Sequence, residues 1–143
     1  MIAENNSLSM PKLFLLFSHQ LTPEQTKDAF HRFSIRESDI YPLPSDLKQL
    51  WSQVPPDSQL QMKDYLAPIL TWLLAHSQER DYMLIQGEPG AVNYLIQFSW
   101  KNQLRPIYAT TKRIISEKKL PDGSIKKTSV FKHIAFRDYE RLT

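Results

Sequence analysis

The feature that most constrains the fold is a continuous apolar run followed closely by a capped helix start. Residues 12–17 form this run, which has the length and composition of a strand buried on both faces, as in the middle of a parallel sheet. Thr22 fits a helix N-cap, Pro23 fits the first helical position, and Gln25 completes a capping box. The chain is therefore predicted to begin with a buried strand, a short polar loop and a helix.

The same order of elements recurs along the chain. The further predicted elements are strands over residues 39–44, 81–86 and 105–111 and helices over residues 47–51, over 57–78 and from 91 onward. Pro68 predicts either a kink or a helix that begins just before it. A Pro-Asp-Gly turn at residues 121–123 joins two extended runs into a hairpin. These elements predict a small Rossmann-like α/β domain of three layers, with a mainly parallel sheet and a C-terminal β-hairpin.

A chain of 143 residues fits one domain, which we expect over residues 10–143, with residues 1–9 as a frayed leader. Both Met1 and Met10 fit as the start codon. No apolar run approaches the roughly 20 residues that cross a bilayer, and no signal peptide is recognisable. The chain contains no cysteine, which excludes disulfides, thiol catalysis and zinc–cysteine sites. We therefore expect a cytoplasmic protein.

Charge is unevenly spread along the chain. Residues 1–100 carry 7 Lys and Arg and 11 Asp and Glu, whereas residues 101–143 carry 11 and 4. A basic C-terminal third suggests an anionic partner. Most of these basic residues flank the predicted hairpin turn, where lysines are ordinarily solvated. We expect only Lys112 and Arg113, at the end of the fourth strand, to meet the glycine turn that follows the third strand.

Polar side chains follow three of the predicted strands, at the points where those strands end. Ligands of open α/β sheets bind beyond the carboxyl ends of the strands. The residues selected in this way are Ser18, His19, Gln20, Gln86, Gly87, Glu88, Gly90, Thr110, Thr111, Lys112 and Arg113. Glycines at a helix start let an anion approach the backbone amides, and lysine and arginine supply positive charge. The three loops together predict a phosphate-binding site.

Each of these residues also has an ordinary structural interpretation. A single Gly-x-x-Gly turn is a weak signal, and a Lys-Arg pair at a strand end is usually solvated. A single histidine after a strand is more often a surface residue than a catalyst. His133 is predicted to share a strand face with Phe131, Ala135 and Arg137, and to face either the site or a partner. The prediction of a site therefore depends on the joint placement of polar residues at three strand ends.

The sequence disfavours several classes of enzyme. The four histidines lack metal-ligand spacing, and Glu88 is the only carboxylate on the selected loops, so metal-dependent and paired-carboxylate catalysis are disfavoured. Ser18 has no nucleophile elbow around it. Neither a Walker loop nor a dinucleotide-binding fingerprint occurs. We therefore expect no metal and no cofactor.

A set of segments that spans nearly the whole chain from Met10 carries a resemblance to a known family. The segments are residues 11–19, 84–87 with 90–91, 107–113, 130–133 and 136–137. They resemble a small CRISPR-associated family of type III systems, number twenty of the Csx series. That family is similar to the CARF (CRISPR-associated Rossmann-like) domains, which form homodimers and bind cyclic oligoadenylate across the two-fold axis. Several such small proteins are ring nucleases, which degrade cyclic tetra-adenylate and so switch off the antiviral response.

The resemblance implies a metal-independent ring nuclease that acts on cyclic tetra-adenylate as a homodimer, with no membrane and no stable duplex nucleic-acid partner. A ribose 2′-hydroxyl would attack the adjacent phosphate while the protein stabilises the charge. We expect His19 to act as general base or acid, and Lys112 and Arg113 to stabilise charge. The expected ligand-binding residues are Ser18, Gln20, Gln86, Gly87, Gly90, Thr110, Thr111 and His133. Two alternatives stay open, a non-catalytic module that sequesters the messenger and a basic nucleic-acid-binding protein.

Overall fold

The apolar run near the start of the chain lies inside a five-stranded sheet in the computed structural model, which describes residues 10–57 and 59–143. The strands are β1 (Leu13–Leu16), β2 (Ile40–Pro42), β3 (Tyr82–Ile85), β4 (Arg105–Lys119) and β5 (Ile125–Asp138). Across the sheet their order is β2-β1-β3-β4-β5, with the first four parallel and β5 antiparallel to β4. The predicted α/β class and mainly parallel sheet are confirmed, and the arrangement is compatible with a Rossmann-like fold. The predicted leader, residues 1–9, lies outside the described residues.

Helices connect the parallel strands in the described part of the chain. They are α1 (Pro23–Phe33), a 3-10 turn (Glu37–Asp39), α2 (Ser45–Ser52), α3 (Met62–Tyr65), α4 (Ala67–His76) and α5 (Pro89–Lys101). The predicted capping box of α1 is present. The Gln25 amide donates to Thr22 Oγ1 at 3.2 Å, and the Thr22 amide donates to Gln25 Oε1 at 3.0 Å. α4 begins directly before Pro68, as one of the two predictions for that region required.

Strand β1 is buried on both faces because helices cover both sides of the sheet. Leu13 and Leu15 belong to the core that includes Ala29 of α1, whereas Phe14 and Leu16 belong to the core formed with the other helices. All four side chains of β1 are at most 5% exposed. The continuous apolar run is therefore explained by two separate cores, one on each face of the sheet.

The C-terminal hairpin is longer than the sequence predicted, because the fourth strand does not end at Thr111. β4 continues without a break to Lys119 and pairs with β5 along a long antiparallel ladder. Gly123 takes the positive φ of 92° that the turn requires. The outer part of the hairpin packs on neither core, yet it keeps apolar residues in its sequence. The apolar pattern therefore does not show where the packed part of the sheet ends.

A β-bulge near the base of the hairpin changes which residues of β5 share a face. The ladder skips Ile134, which has no partner on β4. His133 consequently lies on the same face as Phe136, and the two rings are 4.8 Å apart. The predicted shared face with Ala135 and Arg137 was wrong, because strict alternation does not hold across an extra residue.

The buried carboxylate of Asp81 joins the starts of β1 and β3. Its two oxygens accept hydrogen bonds from the backbone amides of Lys12 at 3.0 Å and of Gln78 at 2.8 Å. The ammonium group of Lys12 lies 3.1 Å from the same carboxylate. Asp81 is 3% exposed, and a carboxylate at that depth needs such donors to remain charged.

Asp81→Ala should lower the free energy of unfolding by about 2 kcal/mol, because two backbone amides and one ammonium group lose their acceptor. Asp46→Ala is the control, since Asp46 is an exposed aspartate in the first turn of α2. It should change the stability little. Urea unfolding followed by circular dichroism measures both variants. Equal stability of the two variants would contradict the role assigned to Asp81.

Candidate functional site

The parallel strands end along one edge of the sheet, which we call the carboxyl edge. It lies after Leu16 of β1, Pro42 of β2 and Ile85 of β3, and beside Ala109 of β4. The chain leaves β1 toward β2 on one side and later enters β3 on the other side. The switch point of the topology therefore lies between β1 and β3, which is where open α/β sheets bind their ligands.

Gln86, the first residue after β3, holds three strands of the carboxyl edge together. Its backbone amide donates to Leu16 O at 3.0 Å, and its carbonyl accepts a hydrogen bond from Trp51 Nε1 at 3.0 Å. Its side-chain Oε1 accepts from the Ala109 amide at 2.9 Å. Gln86 was predicted to bind the ligand. Its side-chain oxygen is already hydrogen-bonded within the protein, so Nε2 is the side-chain atom that can donate to a ligand.

The two glycines after β3 make room for side chains of the protein itself. A Cβ atom at Gly87 would lie 2.9 Å from Trp51 Nε1, which is closer than real Cβ contacts. At Gly90 a Cβ atom would lie 3.1 Å from Glu88 Oε1, at the end of a flexible side chain. The indole of Trp51 is therefore sufficient reason for a glycine at position 87, without any bound phosphate.

The start of α5 already carries a negative charge. Glu88 is the N-cap residue, and its Oε1 accepts a hydrogen bond from the Ala91 amide at 2.8 Å. A phosphate bound at this position would compete with the carboxylate for the same amide and would be repelled by it. The start of α5 is consequently a poorer anion site than the spacing of the two glycines indicates.

A groove of about 410 Å³ opens at the carboxyl edge beside β1 and β2, and it contains two of the predicted site residues. Apart from apolar side chains, its lining consists of His19, Gln20, Thr26, Glu37, Ser45 and Lys48. Its volume suits a small ligand or one part of a larger ligand. Ser45 and Lys48 were not among the predicted site residues, although they follow β2 and the same strand-end rule applies to that loop.

His19 and its neighbours Ser18 and Gln20 are exposed, and His19 and Gln20 line the groove. The imidazole ring lies edge-on to the ring of Phe17, with centroids 5.2 Å apart. Within the described residues, no hydrogen-bonding partner holds either ring nitrogen of His19. A ligand in the groove would therefore meet an imidazole that none of the described residues holds by a hydrogen bond.

Strand β4 distributes the predicted cations over two faces of the hairpin. Thr110 uses its hydroxyl in a hydrogen bond to a carbonyl of β5 at 3.1 Å, whereas Thr111 is exposed. Lys112 and Arg113 are exposed and lie about 10 Å or more beyond Ala109 along the strand. Adjacent strand residues point to opposite faces, so Lys112 lies on the side of α5 and Arg113 on the side of α1. The prediction that both would meet the glycine turn was wrong.

His133 is enclosed between β5 and α1 and is not open at the carboxyl edge. Its side chain is 5% exposed, and its Nε2 lies 2.8 Å from Asp28 Oδ2. Asp28 Oδ1 also accepts a hydrogen bond from Arg32 Nε at 3.3 Å. Nδ1 of His133 has no hydrogen-bonding partner within the described chain. His133 therefore attaches the base of the hairpin to α1, where the bulge directs it, and it is not accessible as the predicted ligand contact.

Tyr139 supports the carboxyl edge, although no sequence pattern indicated it. Its hydroxyl donates to Ile85 O, the last carbonyl of β3, at 2.7 Å, and its ring packs on that of Tyr108 at 4.7 Å. Burial raises the pKa of the Tyr139 hydroxyl above its ordinary value, so the group remains a donor at neutral pH. The residue follows the last strand and reaches back to β3, and such a contact has no sequence period.

Two other kinds of feature do not occur in the described ranges. Among those residues, no group of three or more His, Asp or Glu side chains is arranged to hold a metal ion. None of the helices there has the length and apolar character needed to cross a membrane. The groove beside β1 and β2, together with the turn after β3, is therefore the candidate site.

Gly87→Ala should lower the free energy of unfolding by about 1–3 kcal/mol, because the new methyl group clashes with the indole of Trp51. Gly90→Ala is the matched control, since it adds the same methyl group at the second residue of α5. Its methyl group would meet Glu88 Oε1 at 3.1 Å, so it could at most disturb the N-cap hydrogen bond, and the loss of stability should stay below about 1 kcal/mol. Chemical denaturation measures both variants, and an equal loss in the two would contradict the packing reason given for Gly87.

Comparison with known proteins identifies a family for this chain. The family model described as "Uncharacterized protein MJ1673 family" matches residues 11–137. A curated relative from Methanocaldococcus jannaschii, "Uncharacterized protein MJ1673", is 44% identical over 130 residues, which cover 91% of this chain and 98% of the relative. No solved structure matches. The chain therefore belongs to the MJ1673 family.

Proposed function

We propose that the protein is a metal-independent ring nuclease that binds cyclic tetra-adenylate at the carboxyl edge and cleaves it to linear adenylates. The observation that carries the proposal is the groove of about 410 Å³ whose lining includes His19, Gln20 and Lys48. These side chains supply a group for proton transfer, a hydrogen-bonding amide and a positive charge. The resemblance of the sequence to CARF-like ring nucleases supports the same substrate class. Destroying this messenger would end the signal of a type III CRISPR system in the cytoplasm.

The proposed reaction uses only groups of the ring and of the protein. The ribose 2′-oxygen attacks the adjacent phosphorus and loses its proton to a base. The bond from phosphorus to the 5′-oxygen then breaks, and that oxygen takes up a proton, which leaves a 2′,3′-cyclic phosphate end. His19 is our choice for proton transfer, because it is the histidine that lines the groove and imidazole is the most common general acid or base in catalysis. Lys48 and Lys112 are our choices for stabilising the negative charge of the phosphorane.

Cyclic tetra-adenylate has a two-fold axis, and a homodimer would present each site residue to it twice. Two copies of His19 would then permit two cuts in one ring. Arg113, on the other face of the hairpin, no longer belongs to this proposed set, whereas Gln86 retains one free donor. The proposal therefore places the ring across two carboxyl edges, with hydrogen bonds to the bases and positive charge near the phosphates.

Binding without cleavage is the second candidate function, and one observation favours it. Catalytic histidines are commonly oriented by a third group. Within the described chain, His19 has only the aromatic contact with Phe17. A protein that merely sequesters the messenger needs no oriented imidazole, so the two functions differ in turnover and not in affinity.

The decisive experiment incubates the purified protein with labelled cyclic rings of three, four and six adenylates in the presence of EDTA. We expect the four-membered ring to give linear product over many turnovers, resolved by liquid chromatography. An intact ring after long incubation with excess protein that binds it would leave only the sequestering function. No binding of any ring would overturn both candidate functions.

His19→Ala should reduce the rate of cleavage by about 10²–10⁴-fold, because general acid–base catalysis contributes an effect of that size. Affinity for the ring should change much less. His31→Ala is the matched control, since His31 is also exposed but lies in the last turn of α1. Single-turnover rates and equilibrium binding measure the two effects separately. Equal rates for the two variants would remove His19 from the reaction.

Lys112→Ala should weaken binding of cyclic tetra-adenylate by about tenfold, as expected for the loss of one charge-assisted phosphate contact. Arg113→Ala removes the same charge one residue farther along β4 but on the opposite face, and its effect should be much smaller. Binding is measured by calorimetry in the presence of unrelated duplex DNA. Equal effects of the two substitutions, or displacement of the ring by the DNA, would indicate a general basic surface.

A further inference from the structure

A second groove adjoins the candidate groove beside β1 and β2. It has a volume of about 520 Å³ and is lined by residues of α1 and by Glu37 of the 3-10 turn. Leu21, Thr26 and Glu37 line both grooves. The two grooves therefore share a border, and a ligand longer than either of them can occupy both. We call the second one the α1 groove.

One stripe of α1 forms a wall of the α1 groove. Pro23, Thr26, Lys27 and Phe30 are spaced three or four residues apart, so they lie on one side of the helix. At about 1.5 Å of rise per residue, Phe30 lies roughly 10 Å farther along α1 than Pro23, and Lys27 lies between them. Because α1 begins after the loop that leaves β1, the stripe leads away from the carboxyl edge.

Phe30 presents an aromatic ring to solvent in this groove, where it is 52% exposed. Its aromatic contact within the described chain is with His31, with the ring centroids 5.7 Å apart and the ring planes at 71°. None of the described aromatic rings is therefore stacked in parallel on Phe30. A planar group that lies flat on this ring would leave water and gain a stacking interaction.

The charged residues of the α1 groove suit a nucleotide. Lys27 is exposed and lies about 5 Å before Phe30 along the helix axis. The phosphate and the base of one nucleotide are separated by a comparable distance. Glu37, at the border of the two grooves, repels a phosphate and can accept a hydrogen bond from the amino group of a base. An apolar peptide side chain would also cover Phe30, but it would bring no anion to Lys27.

We propose that the α1 groove is a base-binding subsite, in which one adenine of the ring stacks on Phe30 while Lys27 contacts the adjoining phosphate. The inference rests on the proposed function, because it assigns part of the same ring to a second groove. The neighbouring nucleotide lies in the candidate groove, near His19 and Lys48. A base held in the α1 groove limits rotation of the ribose next to it, which keeps the attacking 2′-oxygen near the phosphorus.

Affinity for cyclic tetra-adenylate tests the stacking role of Phe30. Phe30→Ala should weaken binding about tenfold, as expected for the loss of one stacked base, whereas Phe30→Trp should preserve the affinity. Leu74→Ala is the matched control, since Leu74 is 57% exposed on α4 and lines neither groove. It should change the affinity by less than about twofold. Calorimetry measures all three substitutions in a His19→Ala background, in which the ring stays intact.

The outcomes separate this subsite from the proposed function. Equal affinities of the Phe30→Ala and Leu74→Ala proteins would overturn the subsite and leave the proposed function standing. The α1 groove would then belong to another occupant, such as a peptide. Failure of the unaltered protein to bind the ring would overturn both.

Fluorescence shows whether a base lies directly on position 30. Phe30→Trp and Leu74→Trp each add one indole to the same three tryptophans of the chain. Binding of the ring should quench the emission of Phe30→Trp more strongly, because a stacked base quenches an indole by contact. Equal quenching of the two proteins would contradict stacking in the α1 groove.

The salt dependence of binding tests the contact between Lys27 and a phosphate. Lys27→Ala should weaken ring binding about tenfold and make it less sensitive to salt, because one charge-assisted phosphate contact is lost. Lys27→Arg should restore both properties. Lys101→Ala is the control, since Lys101 is an exposed lysine in the last turn of α5. Titrations at several salt concentrations measure the effects, and equal behaviour of the two alanine variants would remove Lys27 from the subsite.

Discussion

The rest of the structure depends on the burial of β1 on both faces. Four consecutive apolar residues can leave water only if helices lie on both sides of the strand, and this requirement produces a core beneath α1 and another beneath α2 to α5. Crossovers through those helices keep the strands parallel, so their carboxyl ends meet at one edge. The groove beside β1 and β2 is thus a consequence of how β1 is buried. Any function of that groove depends on the same packing.

The ends of the strands that border the candidate site could be predicted from the sequence, but the groove beside β1 and β2 and the contacts of the residues at those strand ends could not. The run at residues 12–17 and the capping box after it indicated the correct strand and helix, because both signals are local. Gln86 and Gly87 were selected because they follow a strand. Their structural roles depend on Trp51, 35 residues from Gln86, and no local pattern reports such a contact. Lys48 was missed because the loop after β2 was not considered.

The two strands of the hairpin show two ways in which proximity in the sequence misleads about the direction of a side chain. Lys112 and Arg113 were grouped as one pair of cations because they are adjacent in sequence, yet adjacency in a strand separates two side chains to opposite faces. The bulge at Ile134 has a similar effect on His133, which turns toward Asp28 of α1. In both cases the predicted direction of a side chain was wrong. A continuous strand and a one-residue irregularity are both properties of the ladder, and the composition of either strand alone does not reveal them.

The basic C-terminal third of the chain acquires a different meaning once the hairpin is divided by face. Taken along the sequence, its lysines suggest a nucleic-acid surface. Taken across the ladder, Lys112, Lys118, Lys126 and Lys132 share one face, whereas Ile115, Ile125 and Phe131 share the other face with Arg113, Lys119 and Lys127. Lys112 lies directly opposite Lys132, and Lys118 lies directly opposite Lys126, so like charges repel each other across the ladder. The concentration of positive charge on one face therefore follows from the pairing of the two strands, and the composition of either strand alone does not show it.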